Sequence, residues 1–114
     1  MIRIAVVGMG LMGMLHARIL QRLRGVEVVA AIDIDESRLA LARQEFGVET
    51  GRSIEAVIDR VDAVSVTLPD HLHVDACRLA LLRDKFVLVE KPLATTPADC
   101  ERILAARKRP EQAR

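Results

Sequence analysis

Residues 2–7, Ile-Arg-Ile-Ala-Val-Val, form a nearly unbroken apolar run that stops at Gly8, and Gly8-Met9-Gly10-Leu11-Met12-Gly13 then leads into a helical repeat. This junction constrains the fold more than any other feature. A strand without polar alternation is buried on both faces, which calls for parallel neighbours and helices on either side. The rest of the chain continues the alternation. Met12, Leu15, Ile19 and Leu23 share one face of the first helix, so that face is expected to pack inward, and Gly25 is read as its stop after Arg22 and Arg24. A second strand is predicted over 26–32. Asp35 is placed as the N-cap of a helix reaching Phe46, with Leu39, Ala42 and Phe46 inward and Gly47 as terminator.

A short third strand is expected over 48–50, and Ser53 caps a brief helix over 54–59. Residues 61–68 read as a fourth strand. Pro69 and Asp70 open a helix with Leu72, Ala76, Leu79 and Ala80 on its inner face. Residues 86–89 make a fifth strand, and Thr96 caps a last helix with Pro97 at its first position. Arg107-Lys108-Arg109 sits where a helix C-terminus favours cations and is read as a solvated end. Strictly alternating β and α elements predict an α/β doubly wound parallel sheet, the Rossmann arrangement, with strand order 3-2-1-4-5 and no sixth strand.

Composition excludes several classes. The 114 residues make one domain, 1–114, by length. With 51% hydrophobic and 29% charged residues the chain is globular rather than disordered. A net charge of +1 gives no electrostatic case for nucleic acid or an anionic membrane. Phe46 and Phe86, the only aromatics, offer no stacking platform for single strands. The longest uncharged apolar stretch, from Ile4 to Leu15, is too short to span a bilayer. Arg3 before it imitates a signal peptide, but its glycines and the lack of a small-x-small cleavage site argue otherwise. Cys77 and Cys100 are too far apart for a C-x-x-C pair and read as free, mostly buried thiols, so a reducing, cytoplasmic location is expected.

The chemistry converges on the strand ends. Gly8-x-Gly10-x-x-Gly13 has its required context, a strand before and a helix after, and so reads as a phosphate cradle. Asp33 ends the second strand 20 residues beyond Gly13, where a carboxylate can accept ribose hydroxyls. Its charge would repel a 2′-phosphate by up to a few kcal/mol at an effective dielectric of about 20, so NAD is preferred over NADP. Arg38 leaves NADP open, because it can swing to a phosphate, lie over the adenine, or stay solvated. Strands 1 and 4 are neighbours whose connections diverge, which makes their ends the ligand crevice. Thr67, Leu68 and Pro69 follow the fourth strand there, and Glu90, Lys91 and Pro92 follow the fifth. Lys91 is either an ordinary surface lysine or a group that hydrogen-bonds a substrate oxygen and moves a proton. His16, His71 and His73 read as helix-end or surface residues. No catalytic triad, carboxylate pair or zinc spacing is evident.

The chain resembles the N-terminal domain of the glucose–fructose oxidoreductase, inositol dehydrogenase and rhizopine catabolism MocA family. Four segments carry the likeness: Gly8 to Gly13 with His16; Asp33-Ile34-Asp35 with Arg38; Val61-Asp62-Ala63-Val64 leading to Thr67-Leu68-Pro69-Asp70 and His73; and Val89-Glu90-Lys91-Pro92-Leu93. The resemblance implies a Rossmann domain for NAD or NADP in enzymes acting on sugars, cyclitols and related polyols. It implies a cofactor-side set of Gly8, Met9, Gly10, Leu11, Met12, Gly13, Asp33, Ile34, Arg38, Thr67, Leu68, Pro69, His73, Glu90 and Lys91, with Lys91 also the catalytic residue. The family continues into a sixth strand and a substrate-binding C-terminal domain that lie outside these 114 residues. Residues 1–114 are therefore expected to bind the dinucleotide with little or no turnover, and to self-associate through an uncovered sheet edge. A non-catalytic dinucleotide-binding module or a subunit completed by another chain is the alternative, and an FAD or S-adenosylmethionine domain is a weaker one that Lys91 argues against. Asp84-Lys85-Phe86 departs from the family's usual Gly-Lys-His, a change expected to alter the turn but not the crevice.

Overall fold

A computed structural model describes residues 1–68, 73–89 and 96–108, without the side chain of His73. Five parallel strands, β1 (Ile2–Val7), β2 (Val26–Ile32), β3 (Glu49–Gly51), β4 (Ala63–Val66) and β5 (Phe86–Val89), form one sheet in the order β3-β2-β1-β4-β5. This is the predicted doubly wound topology. Helices α1 (Leu11–Gln21) and α2 (Glu36–Phe46) cover one face. Helices α3 (His73–Leu82) and α4 (Pro97–Ala105), with two 3-10 turns at Ile54–Ala56 and Ile58–Arg60, cover the other.

The strands divide their side chains as a period of two requires. Ala5, Val7, Val64, Val66 and Val87 join the core beneath α3 and α4, while Ile4 and Val6 join the core beneath α1 and α2. Ser65 is completely buried on the α1 side of β4. Phe86 and Leu88, on the same side of β5, are exposed. Local signals explain the helix ends. Asp35 accepts from the Ser37 N–H at 2.9 Å to start α2, and Gly47 closes it at φ +66°. Thr96 accepts from the Asp99 N–H at 3.1 Å, with Pro97 in the first turn of α4.

Three expectations are corrected. The large apolar residues of α1 do not face the core: Met12, Leu15, Ile19 and Leu23 are 40–50% exposed, and the buried face is Gly13 and Ala17. The helix approaches the sheet too closely for large side chains at that contact. Gly25 does not stop α1, which ends at Gln21 with Arg22 as C-cap; Gly25 turns the chain into β2 at φ +78°. Cys77 is buried, but Cys100 is only partly so; both are free. Burial pushes the Cys77 thiol up to about 12, leaving it neutral and unreactive. The departure at Asp84 is absorbed locally. Lys85 donates to the Ala80 carbonyl and Asp84 to that of Leu81, both at 3.0 Å, which is a Schellman closure of α3. Asp84 occupies its left-handed position at φ 60°. Among the described residues no helix is long and apolar enough to cross a membrane.

Candidate functional site at the strand ends

The site begins where β1 runs out. Gly8 turns at φ +94°, and its N–H donates to the Ile32 carbonyl at 2.7 Å. A side chain here would meet the Thr67 carbonyl at 2.8 Å, and one at Gly13 would meet the Gly8 carbonyl at 1.8 Å. Thr67 seals the turn from β4, its hydroxyl lying 2.6 Å from the Gly8 carbonyl and 3.0 Å from that of Val7. Gly10 differs. A Cβ there would meet only the end of the Arg38 side chain, at 3.8 Å, so the outer face of the turn is open to a ligand.

Asp33 closes the turn from the other side. It is 7% exposed, and its two oxygens accept the Met9 N–H at 2.7 Å and the Asp35 N–H at 2.9 Å. Each oxygen keeps a lone pair for a hydroxyl donor. The Arg38 guanidinium lies 3.8 Å from Asp33 and equally near Asp35, spanning the second strand end and the Gly10 face. The Ser37 hydrogen bonds hold the exposed Asp35 carboxyl below its ordinary value.

Helix α1 starts at this turn without a side-chain cap. Among the described helices it alone has no acidic residue in its first turn; α2 has Glu36, α3 Asp75 and α4 Asp99. Its uncapped N–H groups and positive dipole end suit an anion. Beside them a cleft of about 590 Å³ opens between β1, β2 and α3, with an apolar wall including Val7, Ile32, Leu68, Ala76 and Leu79. The site thus offers an anion cradle, a hydroxyl acceptor and an apolar slot in sequence, the chemistry of a phosphate, a ribose and a base.

The structure brings Gly8, Met9, Gly10, Gly13, Asp33, Arg38, Thr67 and Leu68 together. Leu11 is largely exposed and Met12 partly so, whereas Ile34, though 78% exposed, lines the cleft next to Asp33. His73 opens α3. Pro69, Glu90 and Lys91 lie outside the described residues. Sequence reasoning missed two parts. Arg52, Glu55 and Asp75 line the cleft, but isolated charges in loops and helices carry no spacing signal. The side chains of His16 and Ser65 meet at 2.9 Å, for which the only clue was a lone serine inside the apolar run of β4.

The chain also resembles known proteins. Residues 2–113 match the GFO_IDH_MocA family model, described as an oxidoreductase family with an NAD-binding Rossmann fold. Inositol 2-dehydrogenase 1 of Saccharopolyspora erythraea is 41% identical over 109 residues, 91% of this chain and 32% of that protein. Scyllo-inositol dehydrogenase from Lactobacillus casei, solved with NAD(H) and scyllo-inositol, superposes with a TM-score of 0.85 at 27% identity, covering 92% of this chain and 32% of that one. KijD10, a 3-ketoreductase from Actinomadura kijaniata solved as a point mutant with TDP-benzene and NADP, gives 0.83 at 32% identity, covering 92% and 34%. The chain spans about a third of the length of the relatives it matches. With residues 2–113 matching the family model and the sheet in the order β3-β2-β1-β4-β5, the chain belongs to the Gfo/Idh/MocA oxidoreductases and carries their NAD-binding Rossmann fold.

Proposed function

We propose that residues 1–114 are the dinucleotide-holding part of an oxidoreductase that acts on the CH–OH groups of cyclitols, sugars or related polyols. The observation that carries this reading is the clasp between the buried Asp33 carboxylate and the Met9 N–H, directly beside the open face of Gly10. The adenine lies in the apolar cleft, its ribose hydroxyls donate to Asp33, and the pyrophosphate meets the uncapped N–H groups of α1. When bound, the dinucleotide supplies a nicotinamide that accepts or returns hydride. Lys91, restrained by the Pro92 that follows it in sequence, hydrogen-bonds the substrate oxygen and takes its proton. Glu90, Pro69 and His73 complete the cofactor side. The relatives named for inositol support a cyclitol as substrate.

Asp33 makes NAD the preferred form, while Arg38 decides how much NADP is tolerated. Residues 1–114 alone hold cofactor and turn over poorly, because a reacting pair needs both partners oriented and water kept out. Calorimetric titration with NAD, NADP and their reduced forms tests this. The expected result is micromolar binding of NAD, weaker binding of NADP, and in Asp33→Ala a weakened NAD affinity with the preference over NADP lost. Equal affinity for the two forms removes the NAD preference, and no binding of either removes the reading. A spectrophotometric assay with myo-inositol and NAD is expected to show only background reduction by residues 1–114, and brisk turnover would overturn that part.

A further inference from the structure

Ser65 is an anomaly inside β4. Its neighbours Val64 and Val66 are fully buried and apolar, its cross-strand partners are Val6 and Leu88, and Ser65 itself has no exposed surface. A hydroxyl in that position needs a partner. It has one: Nδ1 of His16, 2.9 Å away, on helix α1.

The value of that bond lies in what else holds α1. The only fully buried residues of the helix are Gly13 and Ala17, which are too small to interlock deeply with the strands. Met14 and Leu20 pack against the core only partly buried, and Met12, Leu15 and Ile19 face outward. Apolar packing of this kind is non-directional, whereas a hydrogen bond of defined geometry sets the helix along and about its axis. Two residues on, just past the end of β4, the Thr67 hydroxyl grips the Gly8 carbonyl. One strand therefore holds the turn at Gly8 and the helix at His16, with the uncapped N–H groups of α1 between the two grips.

We infer that His16 and Ser65 are positioning residues that set the first turn of α1 at the height a pyrophosphate requires. The inference rests on the dinucleotide reading above and deepens it, because neither side chain need touch the ligand. Loss of the bond is expected to weaken ligands that use the pyrophosphate turn and to spare those that use only the cleft and Asp33.

The test compares His16→Phe, Ser65→Ala and the double variant of the 114-residue chain by calorimetry with NAD and by NMR shift titration with adenosine. Each single variant is expected to bind NAD about tenfold more weakly, from one lost hydrogen bond. The double variant is expected to be no weaker than His16→Phe alone, since that change already breaks the bond to Ser65. Adenosine affinity is expected to stay within about twofold, and His16→Gln, which keeps a hydrogen-bonding group there, to recover most of the NAD affinity. Circular dichroism reports whether each variant is folded, and Ser65→Ala, which removes a single oxygen, keeps the comparison open if His16→Phe does not fold. Additive losses, unchanged NAD affinity, or an equal loss of adenosine would overturn the positioning role while leaving the dinucleotide site intact. A wild-type chain that binds no dinucleotide overturns both.

Discussion

Asp33 holds Met9 and Asp35 through their backbone N–H groups, and this is why only half of its role was legible. Spacing from Gly13 located the carboxylate. Nothing in a sequence marks a backbone N–H as its partner, because every residue but proline has one. Thr67 shows the same limit: its place at a strand end was legible, its grip on the Gly8 carbonyl was not. Asp84 is a clearer departure. The family's glycine suits the left-handed position that closes α3, and here an aspartate occupies it at φ 60°. A side chain in that conformation costs about 1 kcal/mol relative to glycine. Asp84→Gly is therefore expected to raise unfolding stability by about 1 kcal/mol, read as a higher urea midpoint with an unchanged slope, with NAD binding unaffected.

Among the elements, the strands and caps followed the sequence closely because their signals are local. The run 86–89 became β5, Thr96 capped α4, and Asp35 capped α2. Helix α1 inverted because its periodicity has two candidate faces, and the size of the residues favoured the wrong one. The contact with β1 at the glycine turn decides the matter, and that contact is tertiary: the Gly13 Cβ position lies 1.8 Å from the Gly8 carbonyl. Ala17, also on the buried face, is expected to tolerate no enlargement. Ala17→Leu should cost about 1–3 kcal/mol by overpacking, whereas Ile19→Lys on the outward face should change stability by less than about 0.5 kcal/mol. Chemical denaturation of the two variants separates the readings, and the opposite ranking would restore the large residues to the core.

For the whole molecule, the strand order followed from alternation and handedness, so the crevice and its phosphate end were legible before any coordinates. The catalytic end rests on Lys91, outside the described residues, and its role is a proposal from sequence. Acid stability is a property of the whole surface. Hydrogen bonds from Arg3 hold the Asp62 carboxyl below its ordinary 3.8, and Arg60 holds Glu49 down in the same way. A depressed folded value means stability that is present above the unfolded value and lost as pH falls through the folded one. The chain is therefore expected to lose stability below about pH 4. Asp62→Asn should be less stable than wild type at pH 7, with a gap that narrows on acidification; thermal melts from pH 7 to pH 3 check both. The turn at Gly8 is gripped by a residue 59 positions downstream, so this grip forms only once the chain as far as Thr67 has docked beside β1. Occupancy by a nucleotide then reports that the middle of the sheet is assembled. A ligand held at that turn at 100 times its dissociation constant would add about 2.7 kcal/mol to the assembled state alone.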